Sequence, residues 1–167
     1  HYMHFSVELV EAVHLACVVI LDGPRLAAVE AQRARYGPLG SCHRGAAGGR
    51  SNFLERQLAS LEQNAYNGPP EDRRECVLVA AKHLMSGDWE ASAALLERGL
   101  AGDGRRGNAE SPIGDRPPRG PPTTALPLVV LRSKVKAASL QAYLVSVSSV
   151  YACFELSRLA TMFSLDE

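Results

Sequence analysis

Apolar residues recur at three- and four-residue steps along most of this chain, the period of one helix face, and no stretch carries strand signals. The first run, over 5–21, places Phe5, Leu9, Val13, Ala16, Cys17 and Ile20 at that spacing, with Ser6 as a candidate N-cap. Asp22-Gly23-Pro24 is expected to stop it, and Asp22 to cap a second helix over about 24–35. Pro24 then falls near a first turn, where a missing N–H costs nothing. Leu26, Val29 and Ala34 mark the apolar side of that helix. Residues 36–50 read as a glycine-rich loop with Arg44 and Arg50 and no acid.

Asn52-Phe53-Leu54-Glu55 has the spacing of a capping box, before a helix that buries Leu54, Leu58, Leu61 and Ala65. Gly68-Pro69-Pro70 ends it and starts the next. Glu71 and Asp72 are placed in that first turn, where the positive end of the helix dipole favours anions. Val77, Ala80, Ala81 and Leu84 form the stripe of this helix. Gly87 supplies a left-handed C-terminal cap, and Asp88 caps a further helix with Trp89, Ala93, Leu96 and Leu100 on its apolar side. Two helices joined by one Gly-Asp junction are antiparallel neighbours, a helical hairpin.

From 101 to 124 the composition turns abruptly to Gly, Pro, Arg and Asp. Such a segment cannot bury enough apolar surface to offset the entropy of ordering it, so a mobile insertion is expected. A long helix follows over about 126–150. Leu128, Leu131, Val135, Ala138, Ala142 and Val145 define one face, with Leu140, Tyr143, Leu144 and Val147 beside it. An apolar surface this wide is contacted on more than one side. A last helical segment, 155–163, carries Leu156, Leu159, Ala160 and Phe163. The expected fold class is all-α, with helical hairpins stacked in series as a solenoid-like arm, although no internal repeat period emerges.

Composition changes this picture little. The chain has 167 residues, enough for one domain with a closed core. Lys+Arg and Asp+Glu stand at 18 each, so no global field draws it to nucleic acid or an anionic membrane, and any electrostatic contact must be local. The longest apolar run, 15–21, is too short to cross a bilayer, and no membrane association is expected. Cys17, Cys42, Cys76 and Cys153 are too far apart in sequence for a zinc knuckle or a redox pair, which suits a reduced cytoplasmic protein. The chain opens at His1 and closes in an unfinished helical unit, as expected of a piece of a longer protein.

Candidate chemistry is sparse. Gly102-Asp103-Gly104-Arg105-Arg106-Gly107 matches a dinucleotide-binding fingerprint in letters, but that motif needs a strand before it and a helix directly after it. Here a helix precedes it and prolines follow, so a flexible loop is the expectation. Cys42-His43 has no further ligand near it for a metal and no carboxylate to orient the imidazole. No phosphate-cradling loop and no nucleophile elbow occurs. We therefore assign no catalytic, cofactor-binding or metal-ligating residue. Trp89 on an apolar stripe is expected to be a core anchor rather than a base-stacking platform, and Gly87, Asp88 and Tyr151 join it as structural anchors. Arg44 and Arg50 in the acid-free loop, and Arg105 and Arg106 in the insertion, are candidate RNA contacts, since arginine-rich loops grip phosphates. The plainer expectation for both loops is a solvated surface.

Ordered blocks of residues carry a family resemblance. They are His4-Phe5-Ser6-Val7-Glu8-Leu9-Val10-Glu11 with Ile20-Leu21, then Pro69-Pro70-Glu71, Arg74-Glu75, Val79-Ala80-Ala81-Lys82 and Gly87-Asp88-Trp89. Ser139-Leu140, Tyr143-Leu144, Ser148-Ser149-Val150-Tyr151, Leu159, Met162-Phe163 and Leu165-Asp166 continue the series. In order and spacing this resembles the PCI-domain family, in the form found in the third eukaryotic translation initiation factor (eukaryotic translation initiation factor 3). The loops over 36–49 and 101–124 depart from the family pattern, and Glu155 stands where the family has a serine.

The resemblance implies a PCI-type helical-repeat arm over 1–154, with flexible loops at about 36–50 and 101–124. It implies that 155–167 begins a truncated winged helix. It also implies a non-catalytic scaffold in translation initiation, without cofactors. Its partners would be other subunits of initiation factor 3, notably a and e, the small ribosomal subunit with its rRNA, and other initiation factors. Two alternatives stay open. One is a PCI scaffold of the proteasome lid or the COP9 signalosome, which should lack the block from Pro69 to Trp89. The other is a stand-alone RNA-binding helical repeat.

Overall fold

The computed structural model describes residues 6–36, 51–63, 68–100, 125–148 and 150–165. Its elements are α1 (Val7–Tyr36), α2 (Ser51–Gln63), α3 (Arg73–Ser86), α4 (Trp89–Leu100), α5 (Ala125–Ser148) and α6 (Leu156–Met162), with no strand among the described residues. The all-α expectation is met. Helices α1, α3, α4 and α5 each pack against the other three, while α2 lies against α1 and α3.

The α3–α4 hairpin forms where its local chemistry puts it. Asp72 sits extended at the N-cap of α3, and the Glu75 carboxylate reaches back to accept the Glu71 N–H at 3.2 Å. Glu71 and Asp72 thus precede the helix instead of lying in its first turn. At the other end Gly87 has φ +92°; its N–H donates to the Leu84 carbonyl and that of Asp88 to the His83 carbonyl. This pair of bonds is the Schellman closure that satisfies orphan helix carbonyls. The Asp88 carboxylate then accepts the Ala91 N–H at 3.2 Å and caps α4. Val77, Ala80, Ala81, Leu84, Ala93 and Leu96 are all buried, as their spacing predicts.

Three further expectations need correction. Asp22-Gly23-Pro24 does not divide two helices, because α1 runs unbroken through it and buries all three residues. Pro24 withdraws the donor that would have bonded the Ile20 carbonyl, and its ring crowds that carbonyl. Packing supplies the compensation: a Cβ on Gly23 would lie 3.0 Å from Leu84 Cδ2, so glycine lets α1 and α3 approach closely there. Leu26 and Ala27, both buried beyond the proline, could not reach the core if the helix broke.

Second, the core-facing side of α1 is Ala12, Leu15, Ala16, Val19, Leu26 and Ala27, whereas Val13 and Cys17 point outward. The run 15–21 is apolar all round, so spacing alone could not choose a face. The small residues decide it by allowing the closest approach. Third, α2 begins at Ser51, which places Asn52 inside the helix rather than at its cap. Apart from Tyr36, the loops over 36–50 and 101–124 lie outside the described residues.

Two buried hydroxyls stitch the helices together. Ser92 Oγ on α4 donates to the Ala80 carbonyl at 2.9 Å, and Ser139 Oγ on α5 to the Leu84 carbonyl at 3.2 Å. Each bond satisfies a polar group that would otherwise be costly to bury.

Candidate interaction surface

Helix α1 is apolar on two sides. Opposite the core-facing residues, Val10, Val13, Cys17 and Leu21 recur at steps of three, four and four, which puts them on one outer stripe. All four are exposed, Leu21 at 68%. By length and composition α1 could cross a membrane, but half of its most apolar window is buried against the other helices. A bundle helix explains one side of it. The outer stripe is left without a described neighbour, and contiguous exposed apolar surface of this kind marks interaction sites. A second apolar surface lies between α5 and α6, where Val150, Tyr151, Phe154 and Leu156 are exposed.

Two charged clefts flank α2. One, of about 540 Å³, is lined by Glu8, Glu11 and His14 of α1, Phe53 and Gln57 of α2, and Arg74 at the start of α3. The His14 and Phe53 rings stand 6.4 Å apart, and Arg74 donates to the Gln57 side-chain oxygen. The other, of about 460 Å³, brings Glu30 and Arg33 of α1 against Glu55 and Glu62 of α2 and Lys82 of α3. Arg33 pairs with Glu55 at 3.1 Å and Lys82 with Glu62 at 3.2 Å. Burial pushes the Glu30 carboxyl above its ordinary range, Arg33 opposes this, and Glu62 and Glu55 add to it.

None of this assembles a reaction centre. His83 Nδ1 lies 3.5 Å from an Asp88 carboxylate oxygen, but nearby Ser86 donates its hydroxyl to the His83 carbonyl at 2.9 Å, not to the imidazole. The Cys76 thiol is buried, and that burial raises its pKa, the reverse of what an activated nucleophile needs. No group of three or more His, Cys, Asp and Glu among the described residues could hold a metal ion.

The residues singled out in the sequence are scattered. Arg44, Arg50, Arg105 and Arg106 lie outside the described residues, and so does Cys42-His43. Gly87 and Asp88 form the hairpin corner. Trp89 is half-buried, and its indole Nε1 donates to the Met162 carbonyl at 3.3 Å. Tyr151 is 62% exposed with its ring 6.4 Å from that of Phe154. Sequence reasoning missed Lys136, which donates to the Ser164 carbonyl at 2.6 Å, and the Glu97–Arg132 ion pair between α4 and α5. Neither has a local signal, because partners 28 and 35 residues apart meet only in the folded chain.

Comparison with known proteins gives a consistent likeness. No family model matches the chain. The chain is similar to the C subunit of eukaryotic translation initiation factor 3 from Caenorhabditis elegans, 30% identical over 170 residues, covering 100% of this chain and 16% of that protein. The corresponding protein of Saccharomyces cerevisiae is 25% identical over 171 residues, covering 100% of the chain and 18% of that protein. That of Culex quinquefasciatus is 29% identical over 164 residues, covering 98% of the chain and 16% of that protein. The chain therefore spans about a sixth of the length of the relatives it matches.

Proposed function

We propose that this chain, a relative of the C subunit of eukaryotic translation initiation factor 3, serves as a non-catalytic scaffold segment of that factor. It helps assemble the factor and hold it on the small ribosomal subunit during translation initiation. The observation that carries the reading is a likeness that extends over the whole chain to the same protein in a nematode, a yeast and a mosquito. The outer stripe of α1 supports it physically, because a helix with apolar residues on both sides has a second neighbour to find.

Finer parts of the proposal follow the same line. Residues 1–154 act as the helical-repeat part of a PCI domain, and 155–167 as the start of a winged helix. The a and e subunits of the factor are the nearest partners, with other initiation factors and ribosomal RNA beyond them. Arg44, Arg50, Arg105 and Arg106 are the RNA contacts, and Gly87, Asp88, Trp89 and Tyr151 the structural anchors. The setting is cytoplasmic. Purification of the full-length protein by an affinity tag, with identification of its partners, tests the proposal. Recovery of initiation factor 3 subunits is expected; recovery of proteasome-lid or signalosome subunits in their place would overturn it.

A further inference from the structure

Among the described residues Ser164 is the one non-glycine position with a left-handed backbone, at φ +46°. A conformation that a side chain resists persists only where its surroundings impose it. Lys136 on α5 imposes it from one side, its Nζ donating to the Ser164 carbonyl at 2.6 Å. Trp89, the first residue of α4, holds the Met162 carbonyl through its indole Nε1 at 3.3 Å. The Lys136 ammonium stands 5.1 Å from the centre of the Trp89 ring, whose face attracts a cation, so the two donors are held beside each other. Between the two carbonyls lies Phe163, completely buried, its ring 5.7 Å from that of Tyr143 on α5 and tilted by 57°. Tyr143 in turn lies against Gly87, where a Cβ would meet its ring. The turn is continuous with α6, because the Phe163 N–H donates to the Leu159 carbonyl at 3.1 Å and the Leu165 N–H to the Ala160 carbonyl at 2.9 Å.

We infer that Trp89 and Lys136 form a coupled clamp: together they impose the strained turn 162–164 and through it fix the heading of α6 relative to the α3–α4 hairpin. Both are positioning residues. A hydrogen bond weakens steeply off line, so two donors aimed at carbonyls two residues apart define a direction as well as a place. Both acceptors belong to the backbone, so the clamp grips the path of the chain rather than any side chain of the turn. The cation–ring contact makes the two grips depend on each other. Gly87 thereby has a second role: the room it leaves for Tyr143 sets the floor on which Phe163 rests. The clamp goes beyond the proposed function and holds whichever partners the chain binds.

Residual dipolar couplings of the 167-residue chain read the heading directly. In the parent chain the amides of 156–165 should fit the same alignment as those of α3 and α4. Lys136→Met combined with Trp89→Leu should spoil that fit for 156–165 while α3 and α4 keep theirs. Lys136→Arg, which retains a charged donor, should preserve it throughout. Exchange of the Leu165 amide, followed by NMR, reads the coupling. Lys136→Met should speed it about tenfold or more and Trp89→Leu about threefold to tenfold, as loss of a charged and of a neutral hydrogen bond imply. The double variant should fall short of the product of the two by about two- to fivefold, the size of a cation–π contact at an exposed site. Should the double variant disturb α3 and α4, Lys136→Met alone decides by the same alignment. Single effects that multiply in full would overturn the coupling. Parent couplings over 156–165 that share no alignment with the hairpin, or variant couplings that do not change, would overturn the clamp.

Discussion

Replacement of Gly87 by alanine probes the corner on which the hairpin turns. Two separate costs arise there. Gly87 has φ +92°, a region in which a Cβ costs about 1–2 kcal/mol against glycine. The added Cβ would also stand 2.7 Å from Tyr143 Cδ2, inside any real contact distance. Tyr143 cannot simply swing away, because its ring is packed against the buried Phe163. Overpacking of this kind costs about 1–3 kcal/mol. Together Gly87→Ala should lose about 2–5 kcal/mol, a fall in Tm of about 4–20 °C for a chain of this size. Urea denaturation followed by circular dichroism measures it. The same substitution in a Tyr143→Ala background separates the costs, since the steric part vanishes and about 1–2 kcal/mol remains. A loss below about 0.5 kcal/mol, or an equal loss in both backgrounds, would refute the reasoning.

Leu96 is fully buried between α4 and its neighbours, so Leu96→Ala should cost about 2–5 kcal/mol, seen as a lower urea midpoint at unchanged slope. The Arg132 guanidinium donates to the Glu97 carboxylate and holds its pKa below the ordinary 4.5. A depressed folded-state pKa contributes stability above the unfolded value and loses it as pH falls through the folded one. Glu97→Gln should therefore lower Tm at pH 7, and thermal melts should show that difference fading as the pH is taken from 4.5 to below the folded pKa.

Legibility followed the range of the determining interaction. The Gly87-Asp88 corner was readable because its bonds span five residues or fewer, and the α3 stripe because its polar side is clearly polar. At Asp22-Gly23-Pro24 the local stop signal was genuine, yet the close contact of Gly23 with Leu84, 61 positions away, overrode it. The outer stripe of α1 was hidden by the opposite difficulty. With apolar residues on both sides, Val13 and Cys17 matched a core pattern as well as Ala12 and Leu15 did. Lys136 and Trp89 acquire their partners only when the turn after α6 folds back, which no local pattern announces.

That outer stripe of α1 is where a scaffold role is most open to test. Val13→Asp with Leu21→Asp places two charges on it and leaves the core-facing side untouched. The thermal midpoint of the 167-residue chain should hardly move, while on the proposed function the same pair in the full-length protein should reduce recovery of initiation factor 3 subunits about tenfold or more, as charges in an apolar interface do. Unchanged recovery, or collapse of the chain's own fold, would contradict the account.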